Sequence, residues 1–211
     1  MNSQVTIALP KGRLAEQTIE VLEKCGVGCA PLKSDTRKLV LYDEEQKFKF
    51  VFVKPTDVPT YIERGAADLG IAGKDTLLES NADVYEVLDL KFGHCRMCVA
   101  GFKKRDGKVT KSNLRVATKY VNIAKQYYDS KGVNVDIIKL NGSVELGPIV
   151  GLSDVIVDIV ESGKTLQANG LSVLEEICDL TARLIVNKIS FKTKSDVIRP
   201  LIKKISEVLG K

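Results

Sequence analysis

Short β-branched runs alternate with longer amphipathic ones along this chain, and that alternation restricts it to an α/β architecture of strands joined by crossover helices. Val5 to Leu9 is followed by Leu14 to Cys25, and Arg115 to Thr118 by Val121 to Lys131. Phe48 to Val53 and Val135 to Leu140 add strands, ended by the turn chemistry of Pro55 and of Asn141-Gly142. The stretch from about His94 to Leu180 reads as a second βαβ unit set into the first, because the sheet begun at Val5 resumes near Ile185-Val186. The expected division is a first lobe of residues 1–93 plus about 181–211 and a second of residues 94–180, joined by two crossings that form a hinge. A cleft at the carboxyl ends of the strands of such lobes is the usual ligand position.

With 211 residues, 44% of them hydrophobic, the chain can bury a sizeable core, and it shows no internal repeat or low-complexity tract. Lys+Arg 32 against Asp+Glu 27 leaves a formal charge of +5, an excess that suits anionic small molecules. A nucleic-acid binder would concentrate its basic residues. The densest basic stretch, Lys103-Lys104-Arg105-Asp106-Gly107-Lys108, is short and contains glycine, so it reads as a solvated loop and nucleic acid is not an expected partner. Met1-Asn2-Ser3-Gln4 runs into Val5 with no basic leader, and no apolar stretch approaches the ~20 residues of a membrane span. The expectation is a cytoplasmic protein without a membrane association.

A reducing compartment would leave Cys25, Cys29, Cys95, Cys98 and Cys178 as thiols. The Cys95-x-x-Cys98 pair could join Cys25 and Cys29 in a four-thiolate zinc site, but Arg96-Met97 and Val99-Ala100 make it look like part of a strand. Buried free thiols and no bound metal are expected. His94 reads as a polar residue at a strand boundary, with no triad around it.

The most informative segment is Asp154 to Leu166, sequence DVIVDIVESGKTL. An apolar strand enters a small-residue turn that opens a helix, with Leu166 as the first apolar helical position. Backbone N–H groups at such a turn point outward together, and with a hydroxyl of Ser162 or Thr165 they form an anion cradle. Gly163-Lys164-Thr165 also supplies the last three residues of a Walker A loop, yet that motif needs a glycine five positions before Gly163, where Asp158 stands. A carboxylate on the strand just before a phosphate cradle is placed to accept hydrogen bonds from sugar hydroxyls, so the combination fits a ribose 5-phosphate. The plainer alternative makes Asp158 a strand-edge acid and Gly-Lys-Thr merely a turn. The order of residues resembles the phosphoribosyl pyrophosphate loop of phosphoribosyltransferases, except that Val157 replaces the first of two adjacent acids. Glu161 is the candidate for that missing partner.

Five further or overlapping segments extend the likeness along the chain. They are Pro10-Lys11-Gly12-Arg13-Leu14; Asp57-Val58-Pro59 with Gly65 to Ile71 and Gly73-Lys74-Asp75; Arg115 to Tyr120; Leu140 to Leu146; and the loop itself. In this order they resemble ATP phosphoribosyltransferase, with Val121 and Gly147 standing where Pro and Ala are usual. The resemblance implies two lobes similar to periplasmic binding proteins, with the active site in the interlobe cleft. It implies condensation of ATP with phosphoribosyl pyrophosphate to N1-(5-phosphoribosyl)-ATP and pyrophosphate, with substrate-borne Mg²⁺, as the first step of histidine biosynthesis.

Such a reaction needs two substrates positioned and a departing charge stabilised, with no protein nucleophile. By the resemblance, Glu161, Ser162, Gly163, Lys164 and Thr165 hold the 5-phosphate and Asp158 the ribose. Pro10-Lys11-Gly12-Arg13 lies between a strand and a helix, where its backbone and both side chains can face an anion. The resemblance assigns Arg13 and Arg37 to the leaving pyrophosphate or the ATP phosphates. Lys11 and Lys54 are further ATP candidates, with a solvated surface charge as the alternative for either. Asp68-Leu69-Gly70 is expected at the end of a strand near the adenine, although a turn role explains Gly70 equally well. The terminal stretch Val197 to Lys211 reads as one amphipathic helix rather than a regulatory domain, as in short members of the family. Those assemble with a regulatory subunit related to histidyl-tRNA synthetase, implying a homodimer within a hetero-oligomer. Two other functions remain open at this point: a small-molecule binding or sensor module, and a phosphoribosyltransferase with another acceptor.

Overall fold

The computed structural model describes residues 4–34, 37–103 and 113–210. The basic stretch therefore lies outside the described residues apart from Lys103, which is exposed. The chain divides into two compact units, Met1–Gly93 with Thr181–Lys211, and His94–Leu180. The first contains β1 (Val5–Pro10), α1 (Arg13–Lys24), β2 (Val40–Tyr42), β3 (Phe48–Val53), α2 (Val58–Glu63), β4 (Leu69–Gly73), α3 (Lys74–Ser80) and β5 (Tyr85–Asp89). The second holds β6 (Cys95–Gly101), β7 (Leu114–Thr118), α4 (Val121–Ser130), β8 (Val135–Lys139), α5 (Leu146–Ile149), β9 (Val155–Val160), α6 (Lys164–Ala168) and β10 (Ser172–Leu180). The chain then returns to the first unit through β11 (Ala182–Val186), α7 (Ser190–Thr193) and α8 (Ser195–Val208).

In the first unit the strand order is β2-β3-β1-β4-β11-β5. Both neighbours of β1 run parallel to it, with Val5 to Pro10 opposite Phe48 to Val53 on one side and Ile7-Ala8 opposite Leu69-Gly70 on the other. Alternation along β1 sends Val5, Ile7 and Leu9 to one face and Ala8 to the other. The first face is covered by α1 through Ala15, Ile19 and Leu22, and by α8 through Ile198, Leu201 and Ile205. Both sets fall at helical three- and four-residue spacing. Each aliphatic chain buried in this way contributes about 1.5–3 kcal/mol. Helix α8 is thus part of this unit's core, and it starts two residues earlier than the sequence pattern suggests. The opposite face packs Ala8, Ala72 and Ile185 under Val58 and Ile62 of α2.

The second unit has the order β10-β6-β9-β7-β8. Strands β7, β8 and β9 are mutually parallel, whereas β6 and β10 add an antiparallel margin. Cys98, Ala100, Ala117, Ile156 and Val160 form the core face with Leu166 of α6. Cys95 and Cys98 lie within β6, three residues apart and so on opposite faces of the strand. All five cysteines are free thiols, and burial pushes that of Cys29 up to about 12. Among the described residues no helix is long and apolar enough to cross a membrane.

Candidate functional site

Each sheet has a point where the chain reverses its direction of winding, the place where open α/β sheets usually bind their ligands. In the first unit the chain goes from β1 to β3 on one side, then crosses β1 to reach β4 on the other. The segments at the carboxyl ends of β1 and β4 are Lys11-Gly12-Arg13 and Gly73-Lys74-Asp75. Lys11 N–H donates to the Val53 carbonyl at 3.0 Å, which pins the turn beside Lys54. Gly12 adopts φ 100° and ψ −158°, a conformation open essentially to glycine alone. No side chain caps α1, so the positive end of its dipole adds to the charges of Lys11 and Arg13. Lys11, Arg13, Arg37 and Lys54 are all exposed. Arg37 reaches the same edge because β2 runs antiparallel to β3 and Phe52 N–H donates to the Leu39 carbonyl at 2.9 Å. Four cations thus gather along one end of this sheet, an arrangement suited to a polyphosphate.

The structure does not bring Asp68-Leu69-Gly70 to that edge. They open β4 instead of ending it, with Asp68 joined to Thr6, about 16 Å along β1 from Lys11 at ~3.3 Å per residue. The Asp68 side chain is buried and engaged: Oδ2 accepts from Thr6 N–H at 2.8 Å and Lys194 Nζ at 2.7 Å, and Oδ1 from the Ser190 hydroxyl at 2.6 Å. Leu69 is fully buried. Gly70 is in mid-strand, not in a turn, and an added Cβ would lie 2.8 Å from Ile62 Cγ1. The expected adenine contacts are therefore corrected to core and latch residues. The true carboxyl end of β4 is Gly73-Lys74-Asp75, where a Cβ on Gly73 would come within 2.2 Å of Asp75 Oδ1. Lys74 Nζ pairs there with Glu86 at 2.6 Å.

In the second unit the winding reverses between β7 and β9, since β8 lies on one side of β7 and β9 on the other. The carboxyl end of β9 leads into Glu161-Ser162-Gly163 and that of β7 into Lys119-Tyr120. Gly163, at φ 72° and ψ 3°, is the left-handed residue that turns the strand into α6, which no side chain caps. Glu161, Ser162, Lys164 and Thr165 are exposed, while Leu166 is buried as the helix's anchor. β9 continues past Asp158 to Val160, so this acid sits inside the strand, opposite Cys98 and half-buried. Alternation puts it on the face of Ile156 and Val160, the face that Leu166 covers. Beyond the end of β7 lies the loop Asn141-Gly142-Ser143 that follows β8, with Ser143 at φ 48°.

The first-unit candidates Lys11, Gly12, Arg13, Arg37 and Lys54 therefore share one sheet edge, and the second-unit candidates Asp158 and Glu161 to Thr165 form one strand-to-helix turn. Gly73 to Asp75, Lys119-Tyr120 and Asn141 to Ser143 carried no assigned role in the sequence, although each belongs to a segment of the family likeness. Their signal was position, immediately after a strand. Among the described residues no group of three or more His, Cys, Asp and Glu could hold a metal ion.

Two α/β units with mixed sheets and charged turns at their switch points define the class, a periplasmic-binding-protein-like protein whose strand ends suit anionic small molecules. The chain belongs to the ATP phosphoribosyltransferase family of pentosyltransferases: the family model of that description matches residues 54–207. It is 59% identical over 207 residues to an ATP phosphoribosyltransferase of Caldanaerobacter subterraneus subsp. tengcongensis, covering 98% of each chain. A Clostridioides difficile protein of the same name is 54% identical over 204 residues, with 97% of this chain and 98% of that one covered. Among solved structures, the ATP phosphoribosyl transferase (HisG:HisZ) complex from Thermotoga maritima matches with a TM-score of 0.84 at 38% identity, over 98% of both chains.

Proposed function

We infer that this chain is the catalytic subunit that joins ATP to phosphoribosyl pyrophosphate, yielding N1-(5-phosphoribosyl)-ATP and pyrophosphate in the first step of histidine biosynthesis. The observation that carries the reading is the β9–α6 turn at the switch point of the second unit, with Asp158 on the strand and Gly163 in the left-handed conformation, in a member of this family. Adenine N1 attacks the anomeric carbon as the bond to pyrophosphate breaks, and the ribosyl centre is cationic in between. Catalysis consists of alignment and charge stabilisation.

In this reading Glu161 to Thr165 take the 5-phosphate, and Asp158 with Glu161 orients the ribose. Lys11, Gly12 and Lys54 meet ATP, Arg13 and Arg37 meet the leaving pyrophosphate, and Gly73-Lys74-Asp75 takes the place first expected for Asp68 to Gly70. Mg²⁺ would arrive with the substrate, held by its phosphate oxygens. The ion would offset the charge of the pyrophosphate. A cytoplasmic setting accords with five thiols in the free state.

Incubating the protein with phosphoribosyl pyrophosphate, Mg²⁺ and a panel of acceptors tests the reading by pyrophosphate release. Release with ATP alone supports it. Release with another base or amine would move the chain to a different phosphoribosyltransferase, and none with any acceptor would leave a binding module. Thr165→Ala and Asp158→Asn are expected to weaken phosphoribosyl pyrophosphate by about 1.5–3 kcal/mol, each removing a charge-assisted hydrogen bond, with ATP little affected. Equal weakening of both substrates in binding titrations would remove the loop from its assigned role.

The Thermotoga maritima structure is a HisG:HisZ complex, and this supports a regulatory partner here too. We place the chain as a homodimer within a hetero-oligomer whose second subunit is related to histidyl-tRNA synthetase. The isolated chain is then expected to respond weakly to histidine and to gain inhibition on mixing with that subunit. Activity and sizing measurements with and without it check this. Strong inhibition of the chain alone by histidine refutes it.

A further inference from the structure

One residue in the second unit is hydrogen-bonded at once to the turn after β7, to the start of the loop after β8 and to the interior of β9 beside Asp158. Thr118, the last residue of β7, is completely buried. Its hydroxyl donates to the Val157 carbonyl at 2.6 Å, in the peptide that leads directly to Asp158 on β9. The same oxygen accepts Tyr120 N–H at 2.8 Å, closing the turn after β7 where Tyr120 is the N-cap residue of α4. Its backbone carbonyl accepts Leu140 N–H at 2.9 Å, holding the start of the Asn141-Gly142-Ser143 loop after β8.

We propose that Thr118 is a positioning residue for phosphoribosyl pyrophosphate, setting the relative places of Asp158, the Lys119-Tyr120 turn and the Asn141 loop; this rests on the functional reading above. A hydroxyl is needed because the node requires a donor and an acceptor on one short side chain, which serine supplies and valine of similar shape does not. A second methyl in its place leaves Tyr120 N–H and the Val157 carbonyl without this partner, inside a packed interior where the strand ends can adjust only by moving the loops. Thr118 touches no substrate in this account. It acts through the peptide of Val157 and Asp158 and through the turn of Lys119 and Tyr120.

The test compares steady-state constants for Thr118→Val and Thr118→Ser. Thr118→Val is expected to raise KM for phosphoribosyl pyrophosphate about tenfold while KM for ATP stays within about twofold, and Thr118→Ser to restore both to within about twofold. An equal rise in both constants, or a serine variant no better than the valine one, overturns the proposal, since a general loss of structure would act on both substrates. If Thr118→Val does not fold, Thr118→Ala removes the same hydroxyl with less bulk and is read by calorimetric titration with phosphoribosyl pyrophosphate. Unchanged affinity in a folded variant again overturns the assignment. If the unsubstituted chain releases no pyrophosphate from ATP and phosphoribosyl pyrophosphate, the functional reading fails. The titrations then still decide Thr118, by whether valine weakens and serine retains binding.

Discussion

Arg13→Ala is expected to lower kcat about a hundredfold or more, with a much smaller change in substrate binding. The arginine opens α1 immediately after Gly12, so its backbone is set by a turn with a glycine-only conformation and by the Lys11 hydrogen bond to Val53. In the proposed reaction, negative charge on the pyrophosphate grows as the bond to the anomeric carbon lengthens. A guanidinium held at that place interacts more strongly with the transition state than with the bound substrate, and a loss of that kind appears in kcat. Arg37→Ala should act in the same direction, from the strand edge beside Lys54. Steady-state kinetics with both substrates varied is the measurement. A rise in KM alone would make either residue a ground-state anchor.

Asp68→Ala is expected to destabilise the first unit by about 2–4 kcal/mol, read as a lower midpoint in chemical denaturation. Three donors lose their acceptor together: Thr6 N–H, the Ser190 hydroxyl and the Lys194 ammonium. The carboxylate connects the start of β4 to β1 and to the returning segment between β11 and α8, so its loss loosens the junction where the chain re-enters this unit. Lys194→Ala should cost less, because its side chain keeps 26% exposure and Asp68 retains two other donors. Protein of the Asp68→Ala variant that remains folded at low temperature should keep its KM for ATP. A normal midpoint with a tenfold or greater rise in that KM, about 1.4 kcal/mol of binding, would return Asp68 to the site.

The misplacement of Asp68 shows where a linear pattern stops. Gly65-Ala66-Ala67-Asp68-Leu69-Gly70-Ile71 announces a strand and the family, yet it does not say which end of the strand faces a ligand. That depends on the pairing of Ile7 with Leu69, a contact 62 residues apart along the chain, which puts Asp68 beside Thr6. The β9–α6 turn was legible for the opposite reason. Its strand, its left-handed glycine and its helix are contiguous from Val155 to Ala168, so local rules alone build it. Asp158 was likewise legible as an acid on the strand before the turn, whereas its place opposite Cys98, and the pairing of Ile159 and Val160 with β6, depend on residues about 60 positions away.

What the sequence determined by itself is therefore whatever local periodicity and turn chemistry encode: the α/β class, the strand-to-helix turns after Leu9 and Val160, the apolar stripes of α1 and α8, and the burial of Cys25, Cys29 and Cys98, though not of Cys95 and Cys178, which are half-buried. The tertiary structure alone decided the order of the strands, the switch points this order creates, and the burial of Asp68. It also decided the three hydrogen bonds that meet at Thr118, whose partners Tyr120, Leu140 and Val157 lie 2, 22 and 39 residues away. A strand's own residues state its two faces through alternation, but its neighbours are chosen by the packing of every other strand and helix in the unit. The meaning of a strand end for function follows from those neighbours.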